Sequence, residues 1–350
     1  MIVRAERILC SEAETAAPTS LVIRGAMIQA ISGDAFSSKG EEVFDYSGLT
    51  IAPCFCDYHM HAASADVGRF RHMTEMLLRH GIVRAYDGGD RQGAGLEVRK
   101  LPGKVGIKTA GYALYKKGGY GSHLGRPALA GEDAERTIHE LCTSGIDYLK
   151  VIQSGIYDPE SDIITKGGFE QDELKRIIAC AREQGLAVFC HANGDQAVLE
   201  AVHAGASTVI HGLRVSLETL SLLAKRKIAF IPTVNAFRSL RLHAKSDAAR
   251  LNIDRAVAGH LSTIERAFHL GVRLLPGSDS GPDTIPHGAS YLEEMRMFLS
   301  AGIPYDYILQ AVAASPLKAG IPADFVVLDG LTVQNVMLGG KFLLPSDSHE

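Results

Sequence analysis

From residue 51 to residue 275 the chain alternates short apolar runs with amphipathic stretches, and this alternation limits its fold more than any other feature. The runs occupy 51–61, 81–86, 105–110, 148–152, 186–190, 208–210, 228–231 and 272–275. Several of the intervening segments, 172–183 and 254–270 among them, repeat their apolar residues at helical spacing and end at Gly185 and Gly271, which fit as helix stops. Eight β-then-α units predict an α/β protein with a closed (β/α)8 TIM barrel over 51–322. A doubly wound parallel sheet is the alternative that repeat counting leaves open.

The two ends of the chain have a different texture. Residues 2–9, 21–31 around Gly25, 323–328, 332–338 and 341–344 after Gly339-Gly340 read as short strands and hairpins. Each cluster is too small to bury a core alone, so 1–50 and 323–350 are expected to pack together as one composite β domain, a small β-sandwich. The formal net charge of −4 gives no basic field for nucleic acid or anionic lipid. No apolar run approaches the ~18 residues that span a bilayer, and the start lacks a signal-peptide pattern. The expectation is a cytoplasmic protein acting on a small-molecule substrate, with no nucleic-acid or membrane partner and with homo-oligomerisation left open. Six scattered cysteines read as reduced thiols.

The polar residues that end the apolar runs form a set. His59 and His61 close the first run, and on a strand residues two apart point to one side, so this pair can meet a single ion. Regular alternation would put Phe55, Asp57, His59 and His61 on one face and Cys54, Cys56 and Tyr58 on the other, which argues against a Cys/His zinc site. His191 ends the fifth run, His211 the sixth, and Asp279 follows the eighth through Pro276-Gly277-Ser278. Lys150 lies inside the fourth run between Leu149 and Val151. Taken singly, each has an ordinary structural reading: a hydrogen-bonded core histidine, a turn-capping aspartate, a snorkelling lysine. Together, four histidines and an aspartate at matching positions are the ligand inventory of a catalytic divalent-metal site with room for water.

Asp57-Tyr-His59-Met-His61, Leu149-Lys150-Val151 with Ser154-Gly155, His191-Ala-Asn-Gly194, His211-Gly212 and Gly277-Ser-Asp279 together resemble the metal-dependent amidohydrolase superfamily. The likeness is strongest to its imidazolonepropionase-like and Xaa-Pro or Xaa-Arg dipeptidase branch, and it covers nearly the whole chain. The resemblance implies one or two Zn2+ ions, with His59, His61 and Asp279 at one site and His191 and His211 at the other. Lys150, carboxylated to a carbamate, would bridge them. It also implies a metal-bridging hydroxide as nucleophile, with Asp279 as general acid/base for the leaving amine. Carboxylation needs a neutral amine first, which an apolar strand favours.

Two departures stand out. Relatives commonly carry Pro-Gly where this chain has Pro53-Cys54, and Gly-Gly-His-Gly where it has Gly118-Gly-Tyr120-Gly121. Tyr120 or His123 is therefore expected to meet a substrate carbonyl. Arg238, beyond the seventh run, is expected to meet a substrate carboxylate. The function that follows is hydrolysis of a small C–N (amide) bond, in a dipeptide or N-acyl amino acid. The alternatives are a cyclic-amide hydrolase, a hydrolytic deaminase and a non-catalytic metal-binding relative.

Overall fold

The computed structural model describes residues 1–10, 19–33, 40–62, 66–128 and 132–343. The expected strand residue Leu344, and the parts of the expected terminal domain at 11–18, 34–39 and 345–350, lie outside the described residues.

Four strands open the chain: β1 (Ile2–Ile8), β2 (Ser20–Arg24), β3 (Met27–Ser32) and β4 (Val43–Pro53). The strands of the central part are β5 (Phe55–Met60), β6 (Ile82–Asp87), β7 (Gly106–Thr109), β8 (Ala113–Lys116), β9 (Gly125–Ala128), β10 (Leu149–Ile152), β11 (Tyr157–Asp158), β12 (Ile163–Ile164), β13 (Val188–Ala192), β14 (Thr208–His211) and β15 (Ala229–Ile231). β16 (Phe325–Asp329), β17 (Thr332–Leu338) and β18 (Lys341–Phe342) close it.

The two chain ends meet in one seven-stranded sheet of order β18-β17-β16-β4-β1-β2-β3. β4 holds it together, parallel to β1 and antiparallel to β16. Alternation along β16 explains its layering. Phe325 and Val327 join Val3, Leu21 and Ile51 in a terminal core, whereas Val326 and Leu328 face the large core of the central part. Among the described residues the ends thus form one sheet with the α/β body behind it, where a sandwich of two sheets was expected. One face of the sheet is already covered by that body, so a second terminal sheet is not needed to bury it.

In the central part β5, β6 and β7 run parallel, and so do β10, β13, β14 and β15. The third predicted run ends at β7, breaks at Gly111 (φ +63°) and resumes as β8 beside β10. The eighth run, 272–275, builds no extended strand. Single parallel bridges join Leu274 to Phe230 and Ser280 to Met60, and the Tyr58 amide donates to the Pro276 carbonyl at 3.2 Å. The Asp147 amide donates to the Thr109 carbonyl at 2.8 Å and links β7 to the start of β10. Amphipathic helices cover the outer faces. Asp247–His269 starts earlier than the spacing predicts because Ser246 caps it, accepting from the Ala249 amide at 3.0 Å, and because Ala249 and Ile253 are also buried. It ends at Leu270 before Gly271 (φ +75°), and Gln171–Glu183 ends in the same way before Gly185. No helix among the described residues is long and apolar enough to cross a membrane.

Candidate metal centre

His59, Lys150, His191 and His211 all lie in the parallel strands, in or at the end of β5, β10, β13 and β14, and parallel register carries them to one level. Ile152 pairs with His191, and Ala192 with His211. His59 Nε2 lies 3.2 Å and His61 Nε2 3.4 Å from Asp279 Oδ1, and the donor atoms of these three residues fall within 4.8 Å of one another. The His191 and His211 rings stand edge to face with centroids 4.5 Å apart, and His211 Nδ1 is 4.0 Å from Asp279 Oδ2. Lys150, buried, places its Nζ 3.4 Å from His59 Nε2 and makes no ion pair among the described residues. All six groups line one cavity of about 690 Å³.

Three of the four imidazoles, those of His61, His191 and His211, are held from behind in the way metal ligands need, while His59 Nδ1 is buried without a hydrogen-bond partner among the described residues. His61 Nδ1 bonds the Gly89 carbonyl at 3.0 Å, leaving Nε2 for the Asp279 side. His211 Nδ1 bonds Thr233 Oγ1 at 2.8 Å, and His191 Nε2 bonds the Gly155 carbonyl at 3.0 Å. Gly88 leaves the room the first pair occupies, since a Cβ there would come within 2.6 Å of His59 and 2.9 Å of His61. Three non-glycine residues adopt left-handed backbone here: His211 (φ +73°), Thr233 (+52°) and Asp279 (+53°). The surroundings determine these conformations. Buried Asp57 accepts the His59 amide at 3.2 Å, the Ser278 amide at 3.0 Å and the Ser278 hydroxyl at 2.5 Å, fastening β5 to the Asp279 turn. Buried Glu294 accepts the Val234 and Asn235 amides at 3.0 and 2.8 Å and clamps the turn that carries Thr233.

The regular alternation assumed for the first run does not hold. Pairing between β5 and β6 shifts register between Phe55 and Cys56 and again between Asp57 and Met60, so Tyr58 packs with Tyr86, Tyr148 and Phe189 while Phe55 joins the large core. The two histidines still reach one carboxylate oxygen. Asp57 in this strand is bound to the turn across from it.

The Amidohydrolase family model matches residues 50–343, most of the chain. The chain belongs to the amidohydrolase family. It is a hydrolase acting on carbon–nitrogen bonds. Similar folds include a Xaa-Pro dipeptidase with methionine bound in its active site, at TM-score 0.79 and 19% identity, covering 97% of this chain and 98% of that one. A prolidase complexed with N-methylphosphonate-L-proline matches at 0.77 and 20%, covering 98% of each chain. An A. niger ochratoxinase matches at 0.77 and 19%, covering 97% and 94%. At these identities the likeness is one of fold. No curated protein sequence matches the chain.

The electrostatics of this amidohydrolase suit a cation. Burial pushes His59 down to about 3 and His191 to about 4, aided in both by Lys150, and burial holds His211 well below its ordinary value, so their ring nitrogens are available as neutral donors. Burial lowers Lys150 to about 8, against the pull of Asp279. For Asp279, burial acts upward, but hydrogen bonds from His59 and His61 win and hold it well below the usual carboxylate range. Cys190, next to His191, is pushed up to about 12 by burial and is no nucleophile. All six cysteines are free.

Of the expected substrate contacts, Tyr120 and His123 line the cavity. Tyr120 OH is 3.4 Å from His123 Nε2, and its ring centroid is 5.5 Å from that of His191. Arg238 does not line it, which departs from the expectation. Its guanidinium donates to Asn235 Oδ1 at 2.9 Å and to Glu293 at 2.6 Å, an acid on the neighbouring helix that satisfies it away from the cavity. Sequence reasoning assigned no role to Asp57, Thr233 or Glu294. Only Asp57 carried a signal, as part of the motif that ends in His61.

Proposed function

We propose that this chain is a metal-dependent hydrolase that cleaves the amide C–N bond of a dipeptide or an N-acyl amino acid in a closed (β/α)8 barrel. The observation that carries the reading is the meeting of His59, His61 and Asp279 donor atoms within 4.8 Å of one another, beside a buried lysine that has no ion pair among the described residues. The donor set fits Zn2+: imidazoles and one carboxylate, with the rings of His61, His191 and His211 fixed by second bonds and cavity space left over. His59, His61 and Asp279 would hold one ion, and His191 and His211 a second. Lys150, carboxylated, would supply oxygens between them.

A protonated Lys150 at this position would be desolvated without compensation, and carboxylation converts it to an anion that suits its neighbours. A bound divalent cation supplies an acidified water and polarises the amide carbonyl. The protein's own groups do the rest. Asp279, ionised and at the cavity wall, takes the proton from the attacking water and returns it to the departing amine nitrogen. Tyr120 OH and His123 donate to the carbonyl oxygen as it gains charge.

The test is metal analysis of purified protein together with a screen of dipeptides and N-acyl amino acids. One or two zinc ions per chain, activity lost on chelation and restored by Zn2+, and release of a free amino acid are expected. Release of ammonia alone would point to the hydrolytic deaminase instead.

A further inference from the structure

Resting on the amide-hydrolase reading, we infer that Arg91 is the group that binds the substrate's carboxylate, and that the other half of the preferred substrate is an uncharged, apolar acyl group. The substrate class is then N-acyl amino acids in preference to free dipeptides.

Arg91 sits at the rim of the same cavity as the metal centre, on the loop after β6. Its backbone is fixed from two sides. The Arg91 amide donates to the His123 carbonyl at 3.1 Å, and the preceding Asp90 carboxylate accepts the Gln92 amide at 2.6 Å and the Ala94 amide at 3.3 Å. The guanidinium itself has no ion pair and no side-chain hydrogen bond among the described residues, unlike Arg238. A planar fork of unused donors beside a hydrolytic centre suits a carboxylate, which it can bind in bidentate fashion.

The acids of the cavity lining argue for the second half of the inference. There are two among the described residues, Asp90 and Asp279. Asp279 is taken by His59 and His61, and Asp90 by the amides of its own loop, next to Arg91. The ammonium of a free dipeptide therefore finds no unengaged acid. Ile156, Tyr157, Phe237, Leu240 and Ile285 give the wall an apolar stretch, with uncharged Gln92, Asn193, Ser239 and Thr284 and His243 beside it, and suit an aliphatic or aromatic acyl chain.

Three ligands of one shape test this on the zinc-loaded protein. 3-Phenylpropanoyl-phenylalanine carries only the carboxylate, its carboxamide carries no charge, and phenylalanyl-phenylalanine adds the ammonium. KM is read where there is turnover, and calorimetric Kd where there is none. Arg91→Met should weaken the acyl amino acid roughly tenfold to a hundredfold, leave the carboxamide unchanged and leave kcat nearly unchanged, while Arg91→Lys recovers part of the loss. The acyl amino acid should exceed the dipeptide by about tenfold in kcat/KM. Equal affinity in wild type and Arg91→Met, or a preference for the dipeptide, overturns the inference. If Arg91→Met weakens binding but no amide is cleaved, the binding role stands and the hydrolase reading falls. If amides are cleaved and Arg91 is indifferent, the reverse holds. A wild-type protein that neither binds nor cleaves any of the three overturns both.

Discussion

Tyr148 and Lys150 lie two residues apart on the fourth run, as Phe189 and His191 do on the next, and each pair points to one side of its strand. One step along the strand therefore separates two layers of different chemistry. In the lower one Tyr148 and Phe189 pack with ring centroids 4.4 Å apart, Tyr86 stacks on Phe189 at 6.0 Å and on Tyr58 at 5.5 Å, and the Tyr148 hydroxyl donates to the Asp87 carbonyl at 2.7 Å. The buried hydroxyl of this layer is thus satisfied, and none of its four aromatic residues has positive φ. In the upper layer a lysine lies among histidines with no ion pair among the described residues, and His211 and Asp279 hold left-handed backbone. Both layers contain buried residues, so burial does not distinguish core from site. The unsatisfied charge and the strained backbone do.

The sharpest way to break this contrast is Lys150→Ala. It should lose activity on the order of 10³-fold together with bound metal, and short carboxylic acids added with Zn2+ should restore part of the turnover. Metal content and activity both retained would make Lys150 a core residue like those below it. One layer down, Phe189→Ala should destabilise the fold by about 3–5 kcal/mol in chemical denaturation while the metal bound per folded molecule stays constant. Loss of metal at unchanged stability would show that the aromatic layer belongs to the site.

His260 separates burial from function, since it is buried but lies outside the cavity, with Nε2 bonded to the Pro232 carbonyl at 2.9 Å. Burial lowers it to about 4 in the folded state, below the unfolded value near 6.5. Its contribution is therefore fully present above about pH 6.5 and is lost as pH falls toward 4, a change of about 3 kcal/mol. Melting curves across that window should flatten in His260→Leu relative to wild type. A smaller effect is expected from Asp57→Asn, which keeps the shape but weakens the bonds from Ser278 and His59. Zinc affinity, read by competition with a chelator, should fall about tenfold to a hundredfold, the range for residues that support ligands from behind. No change in affinity would reduce Asp57 to a purely structural tie.

The sequence by itself determined the parallel α/β body and the six groups of the upper layer. Apolar runs of strand length ending in histidine or aspartate record both burial and its interruption, and parallel register brings such ends to one level whatever the loops do. Pairing of the two chain ends was legible for the same reason, because neither cluster could bury itself. Tertiary structure alone decided that these ends share one sheet, because only the folded body supplies the layer behind it. It also decided that the eighth run contributes bridges in place of a strand, and that register shifts in β5 pack Tyr58 with Tyr86, Tyr148 and Phe189. Arginine at the cavity was misread for a related physical reason. Arg238 and Arg91 are equivalent as letters in a sequence, but Glu293, 55 residues from Arg238, satisfies one guanidinium, and among the described residues no side chain satisfies the other. Such long-range pairing has no local signature, and neither do the buried carboxylates of Asp57 and Glu294, whose partners are backbone amides of distant turns.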